Sequence, residues 1–148
     1  MLRRPAQFQV AALCYRIVDG APQVLLITSR ETRRWVLPKG WPMAGLDAAG
    51  AAIQEAWEEA GVRPCNAAAP RRLGQYRYTK ILKGGMPALT DVDVFAVPVK
   101  TVHDTYPEVG QRDRLWTSPA DAADKVDELG LKDLLHALPE RLATPAAA

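Results

Sequence analysis

The first third of the chain alternates apolar runs with turn signals. Residues 9–18 and 22–29 are two apolar runs rich in Val, Leu and Ile, and the dipeptide Asp19-Gly20 between them is typical of a β-hairpin turn. A polar segment over residues 30–34 leads into a short apolar run at 35–37. The pattern predicts a hairpin and a short strand, followed by a Gly/Pro-rich loop over residues 39–45.

A helical period follows that loop. Asp47 is suited to cap the N-terminus of a helix that runs through Ala60, and Gly61 is suited to end it. The apolar stripe that we expect to face the core consists of Ala49, Ile53, Ala56 and Ala60.

The second half of the chain contains two longer apolar segments and two shorter helical ones. The predicted strands are 73–82 and 91–99, with loops beginning at Lys83 and covering 64–70 and 101–114. The predicted helices begin at Ser118-Pro119 and at Leu129, and the last of them covers 129–138. Strand clusters on either side of an isolated helix favour an α+β fold, with a mixed β-sheet and helices packed on its faces.

Length and composition bound the class of protein. The chain has 148 residues, of which 48% are hydrophobic and 24% charged, which suits a single globular domain. We expect this domain to span residues 1–142 and residues 143–148 to form a disordered tail. The net charge of +2 argues neither for nor against a polyanionic partner.

The cysteines and the hydropathy point to a compartment. Cys14 and Cys65 form no C-x-x-C pair, and His103 and His136 lie far apart, so zinc-finger spacing is absent. The N-terminal segment has no signal-peptide core, and no stretch approaches the roughly 18 apolar residues of a membrane span. Two lone thiols favour a reducing compartment, so we expect a cytoplasmic protein without membrane contact.

The informative feature is an acidic ridge on the helix before Gly61. At about 100° per residue, Glu58 lies roughly 60° to one side of Glu55 and Glu59 about 40° to the other. Like charges at this spacing repel, and the negative end of the helix dipole adds to the cost. No Lys or Arg compensates between Asp47 and Val62. A divalent cation would reverse each of these effects, whereas the alternative is an exposed acidic face.

A basic segment and a Gly-rich loop precede this helix. Its cations are Arg30, Arg33, Arg34 and Lys39. Metal-binding carboxylates beside cations and exposed backbone are the groups that cleavage of a phosphoanhydride requires.

Residues 40–62, GWPMAGLDAAGAAIQEAWEEAGV, resemble the Nudix box, G-x5-E-x7-R-E-U-x-E-E-x-G-U, in which U is a bulky aliphatic residue. The residues in register are Gly40, Glu55, Glu58, Glu59, Gly61 and Val62. Leu46 stands where the box has Glu, Gln54 stands where it has Arg, and Ala56 is small for the first U position. The preceding segment, SRETRRWVLPKGW, also resembles that of Nudix hydrolases.

The resemblance implies an α/β/α sandwich with a loop-helix-loop motif that binds Mg²⁺ or Mn²⁺ and hydrolyses a diphosphate linked to a second moiety. Glu58 and Glu59 then resemble the principal metal ligands, with the Lys39 carbonyl as a backbone ligand. Glu55 resembles the carboxylate that coordinates metal or orients and deprotonates water. A further acid outside the box is often recruited; Glu108 is our candidate, with Asp91 and Asp93 behind it.

The segment from Ser29 to Gly40 resembles the branch that acts on diphosphoinositol and diadenosine polyphosphates. Ser29, Arg30, Arg34 and Lys39 would then bind substrate phosphates. Lys80 and Lys83 are outer candidates, although edge-strand protection explains them slightly better. The substrates implied are a diphosphoinositol polyphosphate, a dinucleoside polyphosphate or a nucleoside diphosphate derivative, bound by a monomer or homodimer.

Two alternatives stay open. The departures at Leu46 and Gln54 allow a Nudix-fold binding or sensor module without turnover. Nucleic-acid binding through paired arginines is disfavoured because no stacking motif accompanies them. Trp35, Trp41 and Tyr76 are possible base-stacking residues, although core packing is the commoner role, and Trp57 is predicted to lie in the core.

Overall fold

The computed structural model describes residues 7–66 and 69–144. Within them lie eight strands and three helices. The strands are β1 Gln7–Val18, β2 Ala21–Thr28, β3 Trp35–Val36, β4 Lys39–Gly40, β5 Val62–Pro64, β6 Arg71–Ile81, β7 Pro87–Val102 and β8 Arg114–Thr117. The helices are α1 Ala48–Ala60, α2 Pro119–Lys125 and α3 Leu129–Ala143.

The sheet is mixed because β1 and β7 run parallel while its other pairs are antiparallel. β2 pairs with β1, β3 and β8, and β6 and β5 pair with different stretches of β7. The short strand β4 pairs with β1 at Val10 and Ala11. This pairing brings the loop before α1 against the centre of the sheet.

Helices cover both faces of the sheet. β1 is buried continuously from Gln9 to Cys14, so alternate residues point into opposite layers. One layer packs Val10, Ala12 and Cys14 with the alanines of α1. The other packs Ala11 and Leu13 with α2 and with the leucines of α3. The predicted α+β sandwich is confirmed.

Several elements differ from the prediction at their ends. α1 has the predicted bounds, whereas β7 extends well beyond residues 91–99 and passes through Pro98. β4 lies in a segment predicted as loop, and β5 begins before the loop predicted over residues 64–70; strands of two or three residues carry no readable alternation, so neither was predicted. α3 continues to Ala143, while residues 145–148 of the predicted tail lie outside the described residues.

Two packing predictions for α1 need correction. Ala56 and Ala60 are fully buried, but Ala49 and Ile53 are only partly buried at the edge of the same layer. Trp57 does not enter the core: its ring lies beneath the guanidinium of Arg63 and edge-on to His103.

Across residues 7–66 and 69–144, no helix combines the length and apolar character needed to cross a bilayer.

Gly61 ends α1 in a conformation that only glycine adopts easily. Its φ is 70°, and its N–H donates to the carbonyls of Ala56 and Trp57. A Cβ at this position would lie 2.8 Å from the carbonyl oxygen of His103 and 2.6 Å from the ring of Tyr106. The tight end of α1 therefore depends on both the backbone freedom and the small size of glycine.

We expect Gly61→Ala to destabilise the protein more than Gly20→Ala, a matched control whose φ is 80° but whose Cβ would meet nothing. Both changes incur the left-handed penalty of about 1–2 kcal/mol. Gly61→Ala adds overpacking, so its free energy of unfolding should fall by about 2 kcal/mol more. Urea unfolding of both variants measures the difference, and equal losses would contradict the packing argument.

Candidate metal and phosphate site

A cleft of about 690 Å³ lies where α1 meets β4, β6 and the loops after β2 and β7. It collects the side chains predicted from the sequence to form the site. These are Ser29, Arg30, Arg34, Lys39, Glu55, Glu58, Glu59 and Glu108. Lys80 also lines the cleft, whereas Lys83 does not. Asp91 and Asp93, the reserve acids, instead form ion pairs with Arg77 and Arg72 and are not part of the lining.

The centre of the acidic group is the buried pair Glu55 and Glu59. They stand one helical turn apart on α1 and are only 9% and 6% exposed, so the alternative of an exposed acidic face is wrong for these two residues. Burial, a hydrogen bond to Glu59 and the charges of nearby carboxylates raise the pKa of Glu55 to about 8. Burial also raises the pKa of Glu59, although Glu55 and Arg112 oppose that rise. Glu58 is half-buried beside them.

The backbone before α1 comes very close to these carboxylates. The Lys39 N–H lies 3.4 Å from Oε1 of Glu59, and a Cβ at Gly40 would overlap the carboxyl group of Glu55. Only glycine therefore fits at position 40 with Glu55 in this place. The Lys39 carbonyl as a metal ligand stays a prediction.

The carboxylate oxygens of the cleft suit a hard divalent cation, although they are not arranged around a common point. Within the described ranges, no three Asp, Glu, His or Cys side chains are arranged to hold a metal ion. Glu55 and Glu59 instead hydrogen-bond to each other, and burial together with this bond raises the pKa of Glu55. A cation of the Mg²⁺ type would favour ionisation of both groups and bind their oxygens, which are the ligands it prefers. The chemistry of the residues therefore fits such an ion.

Glu108 reaches the acidic group from the loop between β7 and β8, as predicted. Its backbone N–H donates to the carbonyl of Glu58 at 3.0 Å. Its carboxylate accepts from Arg112 at 3.3 Å and lies 4.0 Å from Arg30. The loop therefore places a fourth carboxylate at the edge of the α1 cluster.

The predicted phosphate-binding cations differ in how far they are already neutralised. Arg34 forms ion pairs with Asp127 and Glu128 at 3.0 and 3.1 Å. Arg30 is exposed and donates only a long hydrogen bond to Gln111. Burial lowers the pKa of the Lys39 ammonium to about 8, and this group lies above the ring of Tyr78.

Ser29 has a structural role in the loop after β2. Its Oγ accepts from the Arg34 N–H and contacts the hydroxyl of Thr32 at 2.6 Å. Its carbonyl accepts from the Arg33 N–H, and its own N–H donates to the carbonyl of Arg34. Ser29 therefore shapes the turn that carries Arg30 and Arg34.

The aromatic residues considered for base stacking differ in their exposure and in their distance from the cleft. Trp41 lines the cleft, is 41% exposed and has the ammonium of Lys80 5.8 Å from its ring centre. Tyr76 is a core residue, and Trp35 packs against the same layer. Tyr78 also lines the cleft and donates its hydroxyl proton to Gln9. Of the four aromatic residues named in the sequence analysis (Trp35, Trp41, Trp57 and Tyr76), Trp41 is thus the exposed one that lines the cleft.

Three residues in or near the cleft are not predicted as site residues from the sequence: Gln9, Arg112 and Glu128. Arg112 is buried between Glu59 and Glu108, and Glu128 is a buried carboxylate whose second oxygen has no hydrogen-bond partner in the described chain. Each acts across more than 50 residues of sequence, and none belongs to a local motif that could have revealed it.

Comparison with known proteins supports the same fold. Nudix hydrolase 18, mitochondrial, of Arabidopsis thaliana is 29% identical over 121 residues, which cover 82% of this chain and 65% of that protein. This chain thus spans just under two thirds of the length of that relative.

Solved structures resemble the chain over nearly its full length. A C. elegans Ap4A hydrolase superposes with a TM-score of 0.66 at 21% identity, covering 93% of this chain and 99% of that one. The NUDIX domain of Shewanella oneidensis NrtR, complexed with ADP ribose, gives 0.68 at 16% identity, covering 95% and 90%. At these identities the likeness establishes the fold.

A family model described as the NUDIX domain matches residues 7–138, which is most of the chain. The register of Gly40, Glu55, Glu58, Glu59 and Gly61 had indicated this family, and Gly40 and the three glutamates line the α1 cleft. The chain belongs to the NUDIX family.

Proposed function

We propose that this protein is a Mg²⁺- or Mn²⁺-dependent hydrolase of a phosphoanhydride bond in a nucleoside di- or polyphosphate derivative. The observation that carries the proposal is the buried Glu55–Glu59 pair, with Glu58 beside it, in a cleft that also holds cations. Two adjacent buried carboxylates are costly unless a cation joins them. Membership of a family whose members generally use divalent metals supports the same reading.

The proposed reaction is attack of water on phosphorus. The water oxygen bonds to phosphorus and the water proton passes to a carboxylate. The bridging P–O bond breaks, and the second phosphate group leaves with the bridging oxygen and the bonding electron pair. Glu58 and Glu59 would hold the divalent ion, which neutralises phosphate oxygens and lowers the pKa of a bound water. Glu55 lines the cleft beside them and would orient the water and accept its proton.

The cations around the carboxylates would hold the remaining phosphate oxygens. Lys39 lines the cleft without an ion pair to a described carboxylate, Arg30 has a long one of 4.0 Å to Glu108, and Lys80 lies on the same rim. Charge-assisted hydrogen bonds from these groups suit a short phosphate chain. Lys83 lies outside the cleft, in the turn between β6 and β7.

The charge balance favours a nucleotide over a diphosphoinositol polyphosphate. Asp127 and Glu128 already neutralise Arg34, so the cleft has fewer free cations than a densely phosphorylated ring requires. Trp41 instead offers an exposed ring next to Lys80, as a base would need. Two of the similar structures are named for nucleotide compounds, Ap4A and ADP ribose.

A binding module without turnover is the second candidate. Leu46 is exposed and Gln54 is uncharged at the two positions where the box has a Glu and an Arg. This alternative predicts ligand-dependent thermal stabilisation without product. Multiple turnovers in a coupled phosphate assay would exclude it.

We expect Mg²⁺-dependent release of phosphate products from dinucleoside polyphosphates, with full loss in EDTA. Glu59→Gln should lower kcat by at least 100-fold because it removes a proposed metal ligand. Steady-state kinetics measure both effects. Glu140→Gln, an exposed change on α3, is the matched control. Wild-type turnover that persists in EDTA would refute the metal-dependent mechanism.

In metal-free protein, Glu55→Gln should increase stability above neutral pH. The folded pKa of about 8 exceeds the ordinary value, so folding favours the protonated carboxyl and wild-type stability falls as the pH rises from about 4.5 to 8. Glutamine cannot ionise and should remove that slope. Allowing for solvent screening, we expect a gain of about 1 kcal/mol at pH 8.

Thermal melts between pH 5 and 8.5 provide the measurement, with and without Mg²⁺. The wild type should gain more from Mg²⁺ than the variant does. A variant whose melting temperature follows the wild-type pH slope would show that Glu55 does not carry this cost.

Trp41→Ala should raise KM for a dinucleoside polyphosphate by about tenfold, in line with the energy of stacking one base. The rise for inorganic tripolyphosphate, which has no base, should be much smaller. Parallel kinetics on the two substrates give the comparison. An equal rise in KM for both substrates would show that Trp41 does not stack on a base. The preference for a nucleotide over a diphosphoinositol polyphosphate would then lose this support.

A further inference from the structure

The positive charge that pairs with a carboxylate of α1 belongs to a loop far along the chain. α1 carries three glutamates and no basic residue in its last turn. In the described part of the chain, the cation within ion-pair distance of an α1 carboxylate is Arg112. It belongs to the loop between β7 and β8, 53 positions beyond Glu59 in sequence.

The guanidinium of Arg112 is held on three sides. Nη2 lies 3.8 Å from Oε1 of Glu59 and 3.3 Å from Oε1 of Glu108. Nη1 donates to the carbonyl of Thr28 at 3.1 Å, at the end of β2. The side chain is only 9% exposed. A buried guanidinium with these partners occupies one fixed position.

The same region of α1 lacks its own charged brace. Gln54 and Leu46 are neutral at the positions where the box has a paired Arg and Glu, and Leu46 faces solvent. Removing both charges leaves neither unpaired, but it leaves Glu59 without a cation on its own helix. Arg112 supplies that cation from the loop between β7 and β8.

We infer that Arg112 is a positioning residue that replaces the brace of the box. It links Glu59 on α1 to Glu108 on the loop, so that both carboxylates are held at one side of the metal site. The inference rests on the proposed function, because it assigns Arg112 a task in a divalent-metal site. Partners that orient metal ligands typically change metal affinity or activity by about 10- to 100-fold.

The test is direct binding of Mn²⁺, followed by the EPR signal of the free ion, in the absence of substrate. Arg112→Gln should raise the Mn²⁺ Kd by about tenfold. Arg112→Lys, which keeps the charge but lacks the planar fork, should fall between the wild type and Arg112→Gln. Measurements well below each melting temperature ensure that only folded protein is compared.

Arg33→Gln is the matched control. Arg33 anchors the same loop through the carbonyl of Gln111 and the carboxylate of Asp113, but it contacts none of the α1 carboxylates. We expect its Mn²⁺ Kd to stay near the wild-type value. If Arg33→Gln weakens binding as much as Arg112→Gln does, loop anchoring alone explains the effect and the inference fails.

Two further outcomes separate the inference from the function on which it rests. If the wild type binds Mn²⁺ and Arg112→Gln binds it as tightly or more tightly, Arg112 is only a competing cation and the inference is overturned. If the wild type binds no Mn²⁺, the proposed metal-dependent function itself fails.

Discussion

The contact between Glu55 and Glu59 is the constraint on which the cleft depends. Two carboxyl groups one turn apart, both buried, repel each other and lose hydration, and the raised pKa of Glu55 records that cost. The surrounding backbone preserves the arrangement rather than relieving it: Gly40 leaves space for the Glu55 carboxyl, and the Lys39 N–H faces Glu59. The fold therefore holds these carboxyl oxygens close together at a local cost in stability.

Much of the layered fold could be predicted from the sequence because its main elements are marked by short local patterns. The hairpin of β1 and β2 follows from two apolar runs around Asp19-Gly20, and α1 is bounded by a capping Asp47 and a terminal Gly61. β4 and β5 were missed because two or three residues cannot show a period. Their positions depend on pairing with β1 and β7, which is information from elsewhere in the chain.

The candidate site likewise has a part that the sequence predicts and a part that it does not. The carboxylates of α1 share one short segment and were identified together, and Glu108 was placed correctly on a loop beside them. The burial of Glu55 and Glu59 was not foreseen, since helical spacing gives angles but does not show how closely a preceding loop packs. The neutralisation of Arg34 by Asp127 and Glu128 depends on a contact across more than 90 residues, which no local pattern encodes.

The loop that carries Glu108 is fastened to α1 by main-chain bonds: the Glu108 N–H to the Glu58 carbonyl and the His103 N–H to the Gly61 carbonyl. Apart from Gly61, where conformation and space both require glycine, such bonds do not depend on the side chains at either end. The attachment of this loop is therefore largely separate from the side chains that it presents to the cleft. A change in those side chains can alter the lining while the course of the loop stays the same.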